Sequence, residues 1–329
     1  RGFDFPKSIH AVKKCIGSMS NSKQSLFLDY FSGSGTTGHA IIDLNREDDG
    51  SRKYILVEMG NHFDDVTKPR IQKAIHSKDW KNGKPISRGG ISHAFKYIRL
   101  ESYEDALNNF AFQDNEKRVQ ALAGNNGFRR EYMLKYWIDF ETRDSPSLLN
   151  IDRFSDPSCY VLKIKKPGSD EYEEKNIDLI ETFNWLIGLH VDHIDVWRIY
   201  DGTFKREDDP ELPKDKNTKL ILDGTMKEDT SGEYHFRKIE GRVCATPGDK
   251  TNMESTLVIW RKMTDDIEAD NLMLDEWFKK YRLSTQDSEF DVIYVNGSNN
   301  LSNLRHDSET WKVRLIEESF HQKMWDVGR

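Results

Sequence analysis

The residues with the clearest chemical potential form a glycine-rich turn that contains Gly33, Gly35 and Gly38. Glycines between a strand and a helix allow positive φ angles and let a ligand approach the backbone, and the amides at the helix start bind anions. The spacing matches the dinucleotide fingerprint GxGxxG, and Glu58 follows 20 residues after Gly38, where an acid accepts hydrogen bonds from ribose hydroxyls. The pattern predicts a binding site for a nucleoside with an adjacent charged group.

Two apolar runs are expected to position this turn. Residues 25–31 (SLFLDYF) come directly before the glycines, and residues 53–58 (KYILVE) follow a segment of helical period. This order predicts strand, loop, helix and strand, with the two strands parallel and a right-handed crossover. A further helix is predicted over residues 66–75 and a further strand over residues 95–100.

Three segments then carry a family resemblance. LDYFSGSGTTGHA, at residues 28–40, resembles the D-x-F-x-G-S-G-T-T-x-x-A signature of the amino DNA methyltransferases, which use S-adenosylmethionine. FDFPKS, with Ser8 where the family often has proline, resembles the F-x-x-P-K-P element that precedes the loop in the permuted β class. KYILVEMG resembles that family's second cofactor motif. The sequences of the three motifs are most similar to those of the modification subunits of type III restriction-modification systems.

The resemblance implies an α/β fold, with a partial Rossmann-like sheet that binds S-adenosylmethionine and a second α/β accessory domain. By position in the motifs, Gly33 and Gly35 would approach the methionine part of the cofactor, and Glu58 would hold its ribose. Pro6 and Lys7 would border its carboxylate. The full set of cofactor-binding positions that the motifs imply is Pro6, Lys7, Asp29, Phe31, Gly33, Ser34, Gly35, Thr36, Thr37 and Glu58.

The catalytic tetrapeptide [D/N/S]-P-P-[Y/F/W] of these enzymes is absent, because the nine prolines of the sequence include no Pro-Pro pair. Its first residue binds the target amine and its aromatic residue stacks on the flipped base. In the β class it precedes the F-x-x-P-K element. We therefore expect the chain to be the carboxyl-terminal part of an adenine-N6 methyltransferase, without catalytic residues and inactive by itself. The implied partners are DNA, an N-terminal catalytic and target-recognition half, a restriction subunit and a second copy.

The length of 329 residues predicts two domains. We assign residues 1–112 to the cofactor-binding part, 113–148 to a helical connector and 149–329 to the accessory domain. Residues 1–130 carry 21 Lys and Arg against 15 Asp and Glu, whereas the rest carries 28 against 41. A polyanion such as DNA would therefore face the first part, and the acidic accessory domain suits protein contacts. No apolar run approaches the length of a membrane span, and three scattered cysteines suit a reducing cytoplasm.

Three weaker patterns have a functional and an ordinary explanation. His190 and His193 flank a predicted helix end and indicate a solvated turn rather than a metal site. The polar turn at residues 296–300 follows a predicted strand, where open α/β sheets bind ligands, although such a turn is usually structural. Four basic residues lie in and beside a glycine-containing loop, where they either contact phosphates or are ordinary exposed side chains: Lys78, Lys81, Lys84 and Arg88.

Downstream, residues 257–260 (LVIW) and 291–297 (DVIYVNG) flank a predicted helix and form a second βαβ-like pattern, and residues 308–325 are predicted as one long helix. Two rival functions remain open. One is a nicotinamide-dependent oxidoreductase that uses GxGxxG literally, although dehydrogenases need neither the paired threonines nor FDFPKS. The other is a non-catalytic scaffold of methyltransferase fold, which the missing tetrapeptide also fits.

Overall fold

The computed structural model describes residues 7–87, 89–100, 109, 154–166, 171–208, 218–246, 248–305 and 311–325. The chain divides into two compact units, Arg1–Leu100 with Lys166–Asp170, and Glu101–Lys165 with Glu171–Arg329. The predicted connector at residues 113–148 lies outside the described residues, as do Pro6 and Arg88. The domain bounds at residues 112 and 149 stay predictions.

The first unit begins with a helix and a parallel βαβ element. α1 (Ile9–Met19) precedes β1 (Leu26–Asp29), α2 (Thr36–Asp48) and β2 (Lys53–Leu56). β1 and β2 pair in parallel with Leu26 opposite Lys53 and Asp29 opposite Leu56. The predicted order of strand, loop, helix and strand is therefore confirmed.

One face of this strand pair is covered by helices. Ala40, Ile41 and Ile42 of α2 are fully buried, and Phe27 and Tyr54 of the strands pack against them. On the other face the apolar side chains are exposed, by 62% at Leu26, 59% at Leu28 and 48% at Ile55. The alternation follows from the two-residue period of a strand, which sends neighbouring side chains to opposite faces.

After β2 the chain forms a π-helical turn (Phe63–Thr67) that runs into α3 (Lys68–His76). A short hairpin of β3 (Trp80–Lys81) and β4 (Lys84–Pro85) follows. The strand predicted over residues 95–100 is wrong, because this segment pairs with no described strand. Side chains hold it instead, since the Tyr97 hydroxyl donates to Asp64 Oδ1 at 2.7 Å and the Lys68 ammonium lies 3.9 Å from the Tyr97 ring centre.

The second unit is built on a mixed sheet with the strand order β11-β8-β12-β13-β14-β15, and β7 pairs with the remaining length of β12. Two separate hairpins, β5–β6 and β9–β10, accompany it. The strands are β5 (Val161–Lys165), β6 (Tyr172–Asn176), β7 (His190–Ile194), β8 (Arg198–Asp201), β9 (Phe204–Asp208), β10 (Thr218–Leu222), β11 (Lys227–Glu228), β12 (Tyr234–Cys244), β13 (Met253–Arg261), β14 (Val292–Val295) and β15 (Val313–Leu315).

Helices cover both faces of this sheet. α4 (Leu179–Leu186) and α6 (Ile316–Trp325) contribute to the core that contains Val258 and Trp260 of β13. α5 (Ile267–Tyr281) packs on the opposite face, against Leu257 and Ile259. Because β13 is apolar on both faces, its sequence is a continuous apolar run, as expected of a strand between two helical layers.

The second βαβ prediction is confirmed, since β13, α5 and β14 follow one another and the two strands pair in parallel. Two other predictions are wrong. Residues 190–194 form an edge strand rather than a helix end, because β12 offers them a hydrogen-bonding edge. Residues 313–315 form β15 beside β14, so the long helix predicted from residue 308 begins only at Ile316. In both places, pairing with a distant strand overrode the local pattern.

The described part of the chain was compared with what a membrane-spanning helix and a metal site require. Those residues include no helix that is both long and apolar enough to cross a membrane. They also include no group of three or more His, Cys, Asp or Glu side chains that could hold a metal ion. His190 lies opposite Arg242 and His193 lies opposite Glu240 in the pairing of β7 with β12, which a bulge interrupts between Glu240 and Gly241.

Candidate functional site

The glycine-rich turn lies where β1 ends and α2 begins. Gly33 and Gly35 both adopt left-handed backbone angles, with φ of 52° and 75°. The Gly35 amide donates to the Ser32 carbonyl at 2.8 Å, and the Ser32 amide donates to the Val57 carbonyl beyond β2 at 3.1 Å. The turn is therefore tied to the carboxyl ends of both parallel strands, which is the edge where open α/β sheets bind ligands.

Glu58 clamps this turn from the second strand. Its Oε2 accepts a hydrogen bond from the Gly33 amide at 2.8 Å, and its Oε1 accepts one from the Gly60 amide at 2.9 Å. Partial burial of the carboxylate opposes ionisation, but the N–H groups of Gly60, Gly33 and Met59 together with the neighbouring His62 lower the pKa of Glu58. Each carboxylate oxygen has a further lone pair, so the ionised side chain holds the turn and can still accept bonds from a ligand.

Asp29 closes the turn on the side of β1. Its Oδ2 accepts a hydrogen bond from the Thr37 hydroxyl at 2.6 Å, and its Oδ1 accepts one from the Phe31 amide at 3.3 Å. Phe31 itself is 78% exposed. α2 begins at Thr36 with Gly35 as its N-cap, and no side chain caps the helix. The amides of its first turn are therefore not occupied by a capping side chain.

Arg70 of α3, which the motif analysis missed, supports the turn through hydroxyl groups. Its Nη1 donates to Ser34 Oγ at 2.7 Å and to Thr36 Oγ1 at 2.9 Å. Both hydroxyl-bearing residues are buried. Burial lowers the pKa of His39, although Asp43 opposes this, and the neutral ring accepts the Arg70 Nε–H at its Nδ1 at 3.3 Å. The side chains of Ser34 and Thr36 thus face the protein interior.

The glycines of the turn are required by packing as well as by backbone angle. A Cβ atom at Gly35 would lie 3.0 Å from the Thr67 methyl group, and one at Gly38 would lie 2.7 Å from Ile71 Cδ1. The Thr67 hydroxyl also donates to the Gly33 carbonyl at 2.5 Å. Thr67, Arg70 and Ile71 lie about 30 to 40 residues after the glycines. This stretch contains no recognisable motif, so no sequence signal pointed to them.

The structure brings most of the predicted site residues together. Lys7 is exposed just before α1, and within the described residues it forms no hydrogen bond or ion pair with the turn. A groove of about 370 Å³ is bordered by His39, Arg70 and Trp80, but not by the predicted cofactor-binding residues. The hydrogen bonds described above connect Asp29, Phe31, Gly33, Ser34, Gly35, Thr36, Thr37 and Glu58 into one turn.

The polar turn after β14 has a different character. Arg261, at the end of β13, is 2% exposed and donates to the carbonyls of Asn296 at 2.8 Å and Asp270 at 3.2 Å. The Gly297 amide donates to Glu317 Oε1 at 2.7 Å. Burial lowers the pKa of Arg261 to about 10 and raises that of Glu317. The groups of this turn are bonded to the protein itself, which favours the structural explanation.

Comparison with known proteins finds a similarity that includes the glycine-rich turn. The family model described as DNA methylase, N6_N4_Mtase, matches residues 1–69, which contain β1, α2, β2 and Glu58. The amino-terminal region is therefore similar to the DNA methylase family over these 69 residues. The match stops before α3 is complete, so the family assignment covers the turn and not the second unit.

Individual relatives agree with this assignment. The chain is 46% identical over 69 residues to the type II methyltransferase M.KpnI of Klebsiella pneumoniae. This match covers 21% of this chain and 16% of the relative. It is 48% identical over 105 residues to the type III restriction-modification enzyme StyLTI Mod subunit of Salmonella typhimurium strain LT2. This match covers 28% of this chain and 16% of the relative.

A third relative is similar over a longer stretch. The chain is 38% identical over 135 residues to the type III restriction-modification enzyme EcoPI Mod subunit of Escherichia phage P1, which covers 34% of this chain and 20% of the relative. The chain thus spans about a fifth or less of the length of these curated relatives. No solved structure matches it.

Proposed function

We propose that the chain is the carboxyl-terminal part of a site-specific DNA adenine-N6 methyltransferase, and that its first unit binds S-adenosylmethionine as part of a Rossmann-like sheet. The observation that carries this is the clamp of Glu58 on Gly33 at the carboxyl ends of two parallel strands, within the segment that the DNA methylase model matches. When bound, the cofactor would supply an electrophilic methyl group.

Groups of the turn, together with Lys7, would fit such a ligand in four ways. The free lone pairs of the ionised Glu58 would accept hydrogen bonds from the ribose hydroxyls. The uncapped amides at the start of α2, at Thr36 and Thr37, would face the cofactor's carboxylate, which the positive end of the helix dipole favours. The exposed ring of Phe31 would cover an apolar part of the ligand, and Lys7 would pair with its carboxylate. We propose that Pro6 also borders this carboxylate.

The adenine-directed step needs groups outside this sequence. A target amine must be held while the base is flipped, and the tetrapeptide that does this in the family requires two adjacent prolines, which the sequence lacks. We therefore propose that the chain transfers no methyl group by itself and works with a catalytic and target-recognition half. DNA, a restriction subunit and a second copy are the proposed partners, with the second unit serving protein contacts.

Calorimetric titration tests the cofactor proposal. We expect the 329-residue chain to bind S-adenosylmethionine and its demethylated product weakly, and NADH not at all. Binding of NADH without a response to the methyl donor would favour the oxidoreductase, and the absence of binding to all three would favour the scaffold.

Glu58→Gln sharpens the test, because it removes the charge while keeping one acceptor oxygen. Charge-assisted bonds contribute about 1.5–3 kcal/mol each, so the dissociation constant should rise roughly ten- to hundredfold. The control is Glu47→Gln, at an exposed acid whose ion-pair partner among the described residues is Lys13. Melting curves identify conditions in which both variants are folded. An unchanged constant for Glu58→Gln under those conditions would remove this residue from the site.

A further inference from the structure

The positive charge of the amino-terminal half is concentrated in one stretch. Residues 51–100 carry eleven Lys and Arg against four Asp and Glu. Arg52 and Lys68 each pair with a carboxylate. Within the part of the chain that the structure describes, no ion pair is formed by three exposed lysines in and beside the β3–β4 hairpin: Lys78, Lys81 and Lys84.

Two of these lysines occupy an electrostatically unfavourable position. The hairpin turns through Asn82 and Gly83, whose φ angles of 51° and 75° correspond to the two-residue turn preferred by hairpins. This turn places Lys81 directly opposite Lys84 in the strand pairing. Like charges directly opposite each other destabilise a hairpin. The pairing of two lysines therefore departs from the usual avoidance of like charges, and no described contact compensates for it. Such departures are typical of functional positions.

The hairpin is also held rigidly on the end of α3. Ser77 is fully buried, and its hydroxyl donates to the Ser87 carbonyl at 2.8 Å. The Trp80 indole N–H donates to the carbonyls of Lys73 and Ser77 at 3.1 and 3.0 Å. The Ile86 amide donates to the Asp79 carbonyl at 2.9 Å. The lysines are therefore presented from a fixed frame, which lowers the entropic cost of binding a partner.

We propose that this hairpin contacts the sugar-phosphate backbone of duplex DNA through Lys78, Lys81 and Lys84. The proposal rests on the proposed function, which makes DNA the substrate. Lysine binds phosphate as a point charge, and backbone contacts position a protein on DNA without reading its sequence. Asp79 is the one acid between residues 77 and 87, so the segment keeps a net positive charge. The competing explanation is that lysines protect a short exposed strand from pairing with another chain.

The test compares two triple variants of the 329-residue chain. Lys78→Gln/Lys81→Gln/Lys84→Gln removes the hairpin charges. Lys175→Gln/Lys227→Gln/Lys250→Gln removes three exposed lysines of the second unit and leaves the same net charge. The measurement is fluorescence anisotropy with a short mixed-sequence duplex over a range of salt concentrations. Each phosphate contact contributes about 0.9 to the slope of log K against log salt, so the hairpin variant should lose about 2–3 from that slope. The control should keep it.

Three further measurements separate the explanations. Anisotropy with several duplexes should show equal weakening for each, since the contacts are not sequence-specific. The melting temperature of the hairpin variant should be unchanged or higher, because the Lys81–Lys84 repulsion is gone. An unchanged slope, an equal loss in the control, no duplex binding by the unaltered chain, or lost binding to phosphatidylserine vesicles with unchanged DNA binding would each overturn the proposal. Calorimetry with S-adenosylmethionine reports on the proposed function separately, since the hairpin variant keeps Glu58 and the glycine-rich turn.

Discussion

The two βαβ elements of the molecule share a topology but differ at the point where the helix follows the first strand. In β1–α2–β2, left-handed glycines lead into a helix that no side chain caps, and the carboxylate of Glu58 holds the turn. In β13–α5–β14, the side chain of Asp266 caps the helix by accepting from the Ala269 amide, and the buried Arg261 fills the strand ends. The same chain topology thus gives an open, amide-rich edge in one unit and an edge closed by internal hydrogen bonds in the other.

Replacing Arg261 should break the closed edge and gives the largest expected effect. Arg261→Met removes the guanidinium donors of the buried Asn296 carbonyl and the second donor of the Asp270 carbonyl, which should lower the free energy of unfolding by about 3–5 kcal/mol. Urea unfolding followed by tryptophan fluorescence reports on this unit, because Trp260 and Trp277 are buried in it. The matched control is Arg206→Met, at an exposed arginine that pairs with Glu268 on the surface. Equal losses in the two variants would show that Arg261 does not close the edge.

A methyl group at Gly35 should disturb the open edge by a smaller amount. Gly35→Ala places an L side chain at a φ of 75° and within 3.0 Å of Thr67, and the left-handed conformation alone costs about 1–2 kcal/mol. Gly17→Ala is the control, because Gly17 lies inside α1 with nothing near its missing Cβ, and there alanine should stabilise by up to about 1 kcal/mol. Thermal melts should therefore shift in opposite directions. A melt of Gly35→Ala that shifts upward would contradict the assigned role of this glycine.

The pH dependence of the clamp should be the smallest effect. The pKa of Glu58 is lowered in the folded chain from its ordinary value of 4.5, so its stabilising contribution is fully present above that pH. It is lost as the pH falls through the lower folded value. The difference in melting temperature between the unaltered chain and Glu58→Gln should accordingly be largest at neutral pH and disappear on acidification. A difference that stays constant over this range would mean that the charge of Glu58 does not hold the turn.

Sequence reasoning succeeded where local signals agreed with the tertiary structure. Both parallel βαβ elements were predicted from apolar runs separated by a helical period. The run at β13 is continuous because that strand is buried on both faces. It failed at residues 190–194 and 313–315, where β12 and β14 supplied the pairing edges from far along the chain. At residues 95–100 the error was the reverse, since a strand was predicted where none forms. An apolar pattern alone does not supply a partner strand.

The candidate site divides along the same line. Asp29, the glycines and Glu58 belong to short motifs whose backbone geometry follows from residue type, so their meeting could be predicted. Thr67 and Arg70 reach the turn only because α3 packs on α2, and no spacing in the sequence specifies that packing. The exposed Phe31 illustrates the limit, since its motif position indicated a role in the turn but not how much of its ring would face solvent.

The π-helical turn at Phe63–Thr67 lies in the connection between β2 and α3. The number of residues in this connection constrains the packing of α3 more strongly than their types do. A π-helical turn is wider than an α-helical one, so it behaves as a one-residue insertion into an otherwise regular helix. Each residue of an α-helix advances the side-chain direction by about 100°. Deleting one residue here would preserve a helix, yet it would rotate Arg70 and Ile71 away from Ser34 and Gly38. Loss of a single codon in this turn should therefore be tolerated less well than many substitutions at the same positions.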